Sequence, residues 1–179
     1  MTISSWVRRA TSSALAVLAA CGGASGSAVP EEKPGASTGE VHAPIDFDFD
    51  SLDDRAVSSE ATRGKPTVLA FVTTGSLPAQ AQVDFLLAMA QHDADTVHYA
   101  VVALEARENR ELVELYRRAL SIPFPVALAD PTTASGGGPF GDVTGVPVTV
   151  VLDRAGRIAL RVAGRVVHSD ELRGALRGL

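Results

Sequence analysis

An unbroken apolar run, Thr67–Val72, constrains the fold of this chain more than any other segment. A strand covered on one face alternates apolar and polar residues, whereas a central strand covered on both faces is apolar throughout. A second such run spans residues 97–104. Between the two runs, apolar residues recur at i, i+3, i+4 and i+7, which predicts an amphipathic helix over residues 78–92. Together these segments predict a central sheet with helices packed on it.

The remaining segments extend this sheet. Residues 45–49 alternate apolar and acidic side chains, the period of a half-buried strand. Short strands are predicted over residues 125–128, 148–152 and 158–162, and the last two flank a hairpin turn at residues 153–156. The element order is therefore β-β-α-β-α-(β)-β-β-α, which indicates an α/β three-layer sandwich with a mixed sheet and an N-terminal β extension.

Two further helices complete the predicted fold. The first spans residues 108–120, and its buried face is predicted to carry Leu112, Leu115, Tyr116 and Ala119. The second begins at Ser169, a favourable N-cap followed by two acidic residues, and is predicted to bury Leu172 and Leu176. A glycine-rich segment over residues 132–145 is predicted to be a flexible loop in place of a further helix.

The N-terminus has the pattern of an export signal. Arg8 and Arg9 precede a short, mostly apolar stretch, and residues 18–22 read Leu-Ala-Ala-Cys-Gly, which resembles the bacterial lipobox. The resemblance implies a signal peptide over residues 1–20, a lipidated Cys21 and a flexible tether over residues 21–44 that carries a domain over residues 45–179. Gly22, which is not Asp, favours the periplasmic face of the outer membrane. The alternative is an ordinary signal peptide with a chance cysteine.

Charge and cysteine content limit the function. The chain has 16 basic and 21 acidic residues and a net charge of −5, so it is a poor candidate for nucleic-acid binding. Asp48, Asp50, Asp53 and Asp54 form an acidic cluster that is predicted to be a solvated turn. Cys21 is the only cysteine. The mature chain therefore has no partner for a disulfide.

Residues 63–71, residues 145–153 and the closing Gly156-Arg157-Ile158 resemble the thioredoxin superfamily, and within it the TlpA/redoxin-type periplasmic proteins. The resemblance covers most of residues 45–179 and gives Pro147 the role of the family's cis-proline. Family members carry Cys-x-x-Cys at the start of the first long helix, where the helix N-terminus lowers a thiol pKa.

In this sequence the two cysteine positions of the family fall on Ser76 and Ala79. The acidic residue that often follows three positions later is replaced by Gln82. A hydroxyl ionises far above neutral pH and forms no reversible bond to sulfur. Dithiol–disulfide exchange by this chain alone is therefore excluded, and Ser76 and Ala79 are vestigial redox positions.

Other chemistry has little support in the sequence. Ser76 could act as a nucleophile only with a base in reach, and none of His42, His92, His98 and His168 is placed near it by the predicted order. An ordinary helix N-cap explains Ser76 better. The histidines show no metal-ligand spacing, and the copper site of the related Sco-type proteins needs two cysteines. Neither a metal nor any other cofactor is predicted.

Two functions remain open. In relatives, the groove between the first helix and the cis-proline loop receives an extended peptide, and this does not require thiols. The resemblance implies that this groove is lined here by Thr74, Gly75, Ser76, Leu77, Val146 and Pro147. The preferred hypothesis is a lipid-anchored, non-catalytic module that binds a peptide or an envelope protein. The alternative is an enzyme of the thiol–disulfide oxidoreductase lineage that uses a partner's thiol or Ser76.

Overall fold

The computed structural model describes residues 43–179, so the predicted signal peptide, Cys21 and most of the predicted tether lie outside the described residues. The strands are β1 (Asp48–Ser51), β2 (Val57–Ser58), β3 (Thr67–Val72), β4 (His98–Ala103), β5 (Val126–Leu128), β6 (Val148–Leu152) and β7 (Ile158–Ala163). The helices are α1 (Ser59–Thr62), α2 (Leu77–Asp93), α3 (Arg110–Ala119), α4 (Pro131–Ala134) and α5 (Ser169–Leu176). No helix within residues 43–179 is long and apolar enough to cross a membrane.

One mixed sheet of seven strands organises the molecule, in the order β2-β1-β5-β4-β3-β6-β7. The three central strands β5, β4 and β3 are parallel, whereas β6 and β7 are antiparallel on one side and β1 and β2 on the other. All six residues of β3 are buried, and so are five of the six in β4. The two apolar runs thus form the centre of the sheet, as their composition predicts, and the α/β fold class is confirmed.

The helices α2, α3 and α5 cover one face of the sheet. Val83 and Leu86 of α2, Val113 of α3 and Leu172 of α5 are all 0% exposed and belong to one apolar cluster with the sheet. Leu176 is only partly buried against the same cluster. This face therefore forms the larger of the two hydrophobic cores.

A cluster of four phenylalanine rings fills the other core. Phe47 and Phe49 enter it from the N-terminal segment, Phe71 from β3 and Phe140 from the loop after α4, with the Phe71 and Phe140 ring centroids 4.9 Å apart. Tilted and edge-on ring pairs at such distances stabilise a core beyond the burial of their area.

The glycine-rich segment differs from the expected flexible loop. It begins with α4, and then Phe140 and Val143 are buried at 1% and 0% exposure. Arg161 of β7 fixes it further: its Nε donates to the Phe140 carbonyl oxygen at 2.7 Å, and its other end donates to the Asp142 carbonyl oxygen. The glycines allow tight turns, since Gly136 and Gly138 have φ of +87° and +84°. The segment is therefore a packed cover of the second core.

The face that α3 turns to the core also differs from the prediction. Leu112 and Leu115 are 47% and 57% exposed, while Val113 is fully buried. The residues at 113, 116 and 120 form a second stripe with helical spacing, so periodicity alone fits both faces. Arg110 and Arg117 lie on the same side of α3 as Val113. They pair with Asp50 at 3.1 Å and with Asp53 at 3.0 Å, and these ion pairs favour burial of the stripe that contains Val113.

These ion pairs also change the interpretation of the acidic cluster. Asp50 contacts both Arg107 and Arg110, and Asp53 contacts both Arg55 and Arg117. The Arg55 side chain, which donates to the Asp53 carboxylate, is the main cause of the lowered pKa of Asp53. Two of the four carboxylates are therefore anchors for α3 and its preceding turn.

Candidate functional site

The predicted groove residues lie at one edge of the sheet. Strand β3 ends at Val72 and runs antiparallel to β6, with Phe71 opposite Val148. The loop after β3 and the loop before β6 therefore emerge side by side. The first loop leads into α2 at Leu77, and the second contains a cis peptide bond between Val146 and Pro147, in the position that the resemblance assigns to it.

Ser76 is the N-cap of α2. Its Oγ accepts a hydrogen bond from the Ala79 N–H at 3.3 Å, and its carbonyl oxygen accepts from the Gln80 N–H at 3.0 Å. Such a cap satisfies N–H groups that the first helical turn leaves without intrahelical partners. Ala79 is 0% exposed and packs into the larger core. Both vestigial redox positions thus have structural roles.

Gln82 joins α2 to the segment before α5. Its amide is fully buried, its Nε2 donates to the Val167 carbonyl oxygen at 3.2 Å, and its Oε1 accepts from the Val167 N–H at 2.6 Å. Both ends of the side chain are therefore occupied by one backbone residue. The Gln82 amide is neutral and cannot accept a proton as a carboxylate at this position would.

Glu105 is a residue that sequence reasoning missed. It lies two residues beyond the end of β4, and its Oε1 accepts a hydrogen bond from the Thr74 N–H at 2.5 Å, which holds the loop after β3 in place. Its Oε2 is buried, and within residues 43–179 it has no hydrogen-bond partner. An acidic residue at the carboxyl end of a strand next to β3 was the available signal, because parallel strands end at the same edge of a sheet.

Tyr116 of α3 has a second buried polar atom near this edge. Its hydroxyl has no hydrogen-bond partner among the described residues. Burial, with smaller contributions from the negative charges of Asp84 and Glu105, raises the pKa of Tyr116 to about 12. The phenol therefore stays protonated at neutral pH and supplies no base.

The cis-proline loop offers a backbone acceptor without a partner among the described residues. The Val146 N–H donates to the Thr144 carbonyl oxygen at 3.0 Å, and the Pro147 carbonyl oxygen accepts from the Gly164 N–H at 3.0 Å. No donor among residues 43–179 reaches the Val146 carbonyl oxygen. Nearby, Leu77 at the start of α2 is 79% exposed. The predicted groove residues thus include a backbone acceptor and an exposed apolar side chain.

The histidines do not form a catalytic pair with Ser76. No hydrogen bond joins the Ser76 Oγ to a histidine within residues 43–179, and His42 lies outside them. His98 begins β4, at the sheet edge opposite the groove, and its pKa is lowered by burial and by the charge of Lys65. His168 packs edge-on against Phe85, with ring centroids 5.0 Å apart. No group of three or more metal-ligating side chains occurs in the described part of the chain.

Comparison with known proteins places the fold. No family model matches the sequence, and no curated protein matches it. Among solved structures, a DsbF homologue from Corynebacterium diphtheriae has a TM-score of 0.64 at 21% identity, covering 76% of this chain and 86% of that one. A thiol:disulfide interchange protein of the thioredoxin family from Chlorobium tepidum has a TM-score of 0.63 at 20% identity, covering 75% and 93%.

A thio-disulfide isomerase from Thermus thermophilus is similar at 27% identity, with a TM-score of 0.57 and coverage of 75% of this chain and 92% of that one. These likenesses confirm that the chain has a thioredoxin-like fold. Within that fold, the positions that the resemblance assigns to the two cysteines carry a serine and an alanine. The chain is therefore a thioredoxin-like protein without a redox pair of its own.

Proposed function

We propose that this protein is an exported, membrane-anchored thioredoxin-fold module that binds an extended polypeptide segment without redox chemistry. The proposal rests on the structural roles of Ser76 and Ala79, the two vestigial redox positions. Ser76 caps α2 and Ala79 is buried in the core, so neither position carries a reactive group, while Leu77 beside them is 79% exposed. With these two residues, the start of α2 can keep the shape of the proposed groove but has no reactive thiol.

Three features of the groove favour a peptide as its occupant. The free carbonyl oxygen of Val146 can accept a hydrogen bond from the N–H of an extended chain, the usual bond when a strand is added to an existing edge. The exposed Leu77 can contact an apolar side chain of that segment. Glu105 holds the Thr74 backbone in place, so the groove wall is ordered before binding.

The anchor is proposed from the lipobox-like residues 18–22 and from the residues that follow them. A diacylglycerol thioether on Cys21, together with an acylated amine, would attach the chain firmly, because several acyl chains bind a bilayer far more tightly than one. Gly22 at the position after the cysteine favours the periplasmic face of the outer membrane. One of the similar structures is described as a secreted disulfide oxidoreductase from Mycobacterium tuberculosis, in keeping with export.

The binding proposal is tested by titrating the protein with a reduced and alkylated unfolded polypeptide while recording backbone amide NMR signals. We expect shifts that concentrate at Thr74, Ser76, Leu77 and Val146, and weaker binding by Leu77→Lys. Leu115→Lys is the matched control, because it changes another exposed leucine that lies on α3. Equal affinity of the wild type and Leu77→Lys, or shifts confined to other surfaces, would contradict the proposal.

A turnover assay separates binding from the alternative of an enzyme that uses Ser76 or a partner's thiol. Insulin reduction is measured with the wild type, with Ser76→Ala, and in the presence of a small dithiol as electron donor. We expect no rate above that of the dithiol alone. Turnover that disappears in Ser76→Ala would establish an enzyme and overturn the proposed role.

A further inference from the structure

The outward side of α3 carries an apolar stripe that nothing in the described structure covers. Its exposed positions follow helical spacing and begin on the turn before the helix; we call them the outer stripe, formed by Glu108, Glu111, Leu112, Leu115, Arg118 and Ala119. Leu112 and Leu115 lie at its centre and are two of the three large hydrophobic side chains that the described residues expose. Two adjacent exposed leucines with i, i+3 spacing are the pattern of a helix that packs against another helix.

The outer stripe has acidic residues at one end and a basic residue at the other. Glu108 and Glu111 precede the leucines, and Arg118 follows them. In the part of the chain that the structure describes, neither Glu108 nor Glu111 takes part in an ion pair, and the one ion pair of Arg118 is a 4.0 Å contact with Glu114 on its own helix, whose carbonyl oxygen also accepts from the Arg118 Nε at 3.3 Å. Both ends of the stripe are therefore available to a partner of opposite charge.

This order of charges is self-complementary under a two-fold axis. When two copies of α3 pack antiparallel, Leu112 of one copy lies near Leu115 of the other, and the acidic end of each faces the basic end of its partner. A closed two-fold pair uses the same patch on both copies and satisfies both ends at once. An anionic lipid surface would instead meet the two glutamates with like charge.

We infer that the outer stripe is the interface of a homodimer, in which α3 of one copy packs antiparallel against α3 of a second copy. The ten-residue helix is only about 15 Å long, so the contact is smaller than a standard protein interface and the dimer is weak in dilute solution. Anchoring of both copies in one membrane would raise their effective concentration and favour the pair.

The inference is tested by sedimentation equilibrium of the full chain in density-matched detergent, up to about 1 mM protein. We expect an average mass that rises with concentration toward twice that of one chain. Leu115→Lys should weaken association by about tenfold or more, because it places a charge at the centre of the contact. Leu77→Lys, which alters the groove instead, should leave the association unchanged. A single-chain mass at every concentration would overturn the inference.

A charge exchange tests the antiparallel arrangement itself. Glu108→Arg with Glu111→Arg, and Arg118→Glu alone, should each weaken association several-fold, and the chain that carries all three changes should regain it, because the reversed charges again face each other across the axis. Circular dichroism establishes that each variant is folded. A folded triple variant that fails to regain association would overturn the arrangement, as would loss of association in Leu77→Lys. Vesicle binding that depends on Leu115 in a chain that stays monomeric would assign the stripe to lipid instead.

Discussion

Three residues near the start of α2 have structural roles in place of the chemical roles that the family resemblance implies for their positions. Ser76, Ala79 and Gln82 occupy positions where related proteins carry reactive or acidic groups, and here they cap a helix, fill a core and bridge two segments. The sequence predicted the capping role of Ser76, because serine before an amphipathic pattern is a standard N-cap. It places Glu105 at the same end of the sheet as Thr74, but the hydrogen bond between these residues, 31 positions apart in the chain, also depends on side-chain and loop geometry that the sequence pattern does not contain.

The capping role of Ser76 leads to a stability prediction. Ser76→Ala should lower the free energy of unfolding by about 1 kcal/mol, because the Ala79 N–H loses its acceptor. Ser76→Asp should retain the cap and have nearly wild-type stability. Urea unfolding followed by circular dichroism measures both. Equal stability of Ser76→Ala and the wild type would show that the hydroxyl is free for another role.

His98 gives a prediction about pH. Its pKa is lowered in the folded protein by burial and then by the positive charge of Lys65, so the unfolded chain takes up the proton first. Stability should therefore fall as the pH drops below about 6.5, the ordinary pKa of the group. In His98→Gln this loss between pH about 7 and about 5 should be smaller than in the wild type. Parallel urea titrations at the two pH values would reveal it, and identical losses would contradict it.

Secondary-structure elements were predicted with unequal success, for reasons that differ from one element to the next. The strands β3 and β4 followed from composition, because only a strand covered on both faces is apolar throughout. The inward face of α3 was predicted only in part: Tyr116 packs against the core, but Leu112 and Leu115, which fit helical spacing as well as Val113 does, are exposed. The ion pairs of α3 with Asp50 and Asp53 favour burial of the side that carries Val113, and the sequence pattern does not reveal such partners in advance.

The packing of the loop after α4 leads to a prediction about stability. Phe140→Ala should lower the free energy of unfolding by about 3–5 kcal/mol, because the ring packs against Phe47, Phe49 and Phe71 with 1% exposure. Pro139→Ala changes the exposed neighbour and serves as the control. Thermal unfolding of both variants measures the difference. A small effect of Phe140→Ala would mean that the segment does not cover the second core in solution.

The described domain has the fold of a thioredoxin-like protein, while the chain has no pair of cysteines. The order of elements and the three segments that resemble the superfamily were sufficient to predict the fold, because they correspond to the centre of the sheet and its β6–β7 hairpin. The side-by-side position of the two loops that form the proposed groove follows from this topology, since the ends of β3 and β6 are neighbours. The ligand of the proposed groove does not follow, because an open carbonyl oxygen and one leucine select a class of segment and no particular sequence.

Returning the two cysteines tests whether the scaffold is still competent. Ser76→Cys with Ala79→Cys should give measurable insulin reduction, and the thiol at position 76 should have a lowered pKa because it lies at the N-terminus of α2. Iodoacetamide labelling as a function of pH measures that pKa, and Ser76→Cys alone is the control for turnover. A double variant that folds, forms no intramolecular disulfide and shows no turnover would mean that the groove geometry has also changed.

Two hydrogen bonds between Gln82 and Val167 disfavour an acidic side chain at position 82. A cysteine at position 79 would lie in the core three residues before this neutral amide, where the family resemblance implies an acidic group. Supplying one by Gln82→Glu would set a carboxylate oxygen against the Val167 carbonyl oxygen, in a place closed to water. Full exchange activity would thus need a third substitution besides Ser76→Cys and Ala79→Cys, and that substitution would weaken the contact between α2 and the segment before α5. The buried amide therefore stabilises the fold at a position where an acidic group would destabilise it.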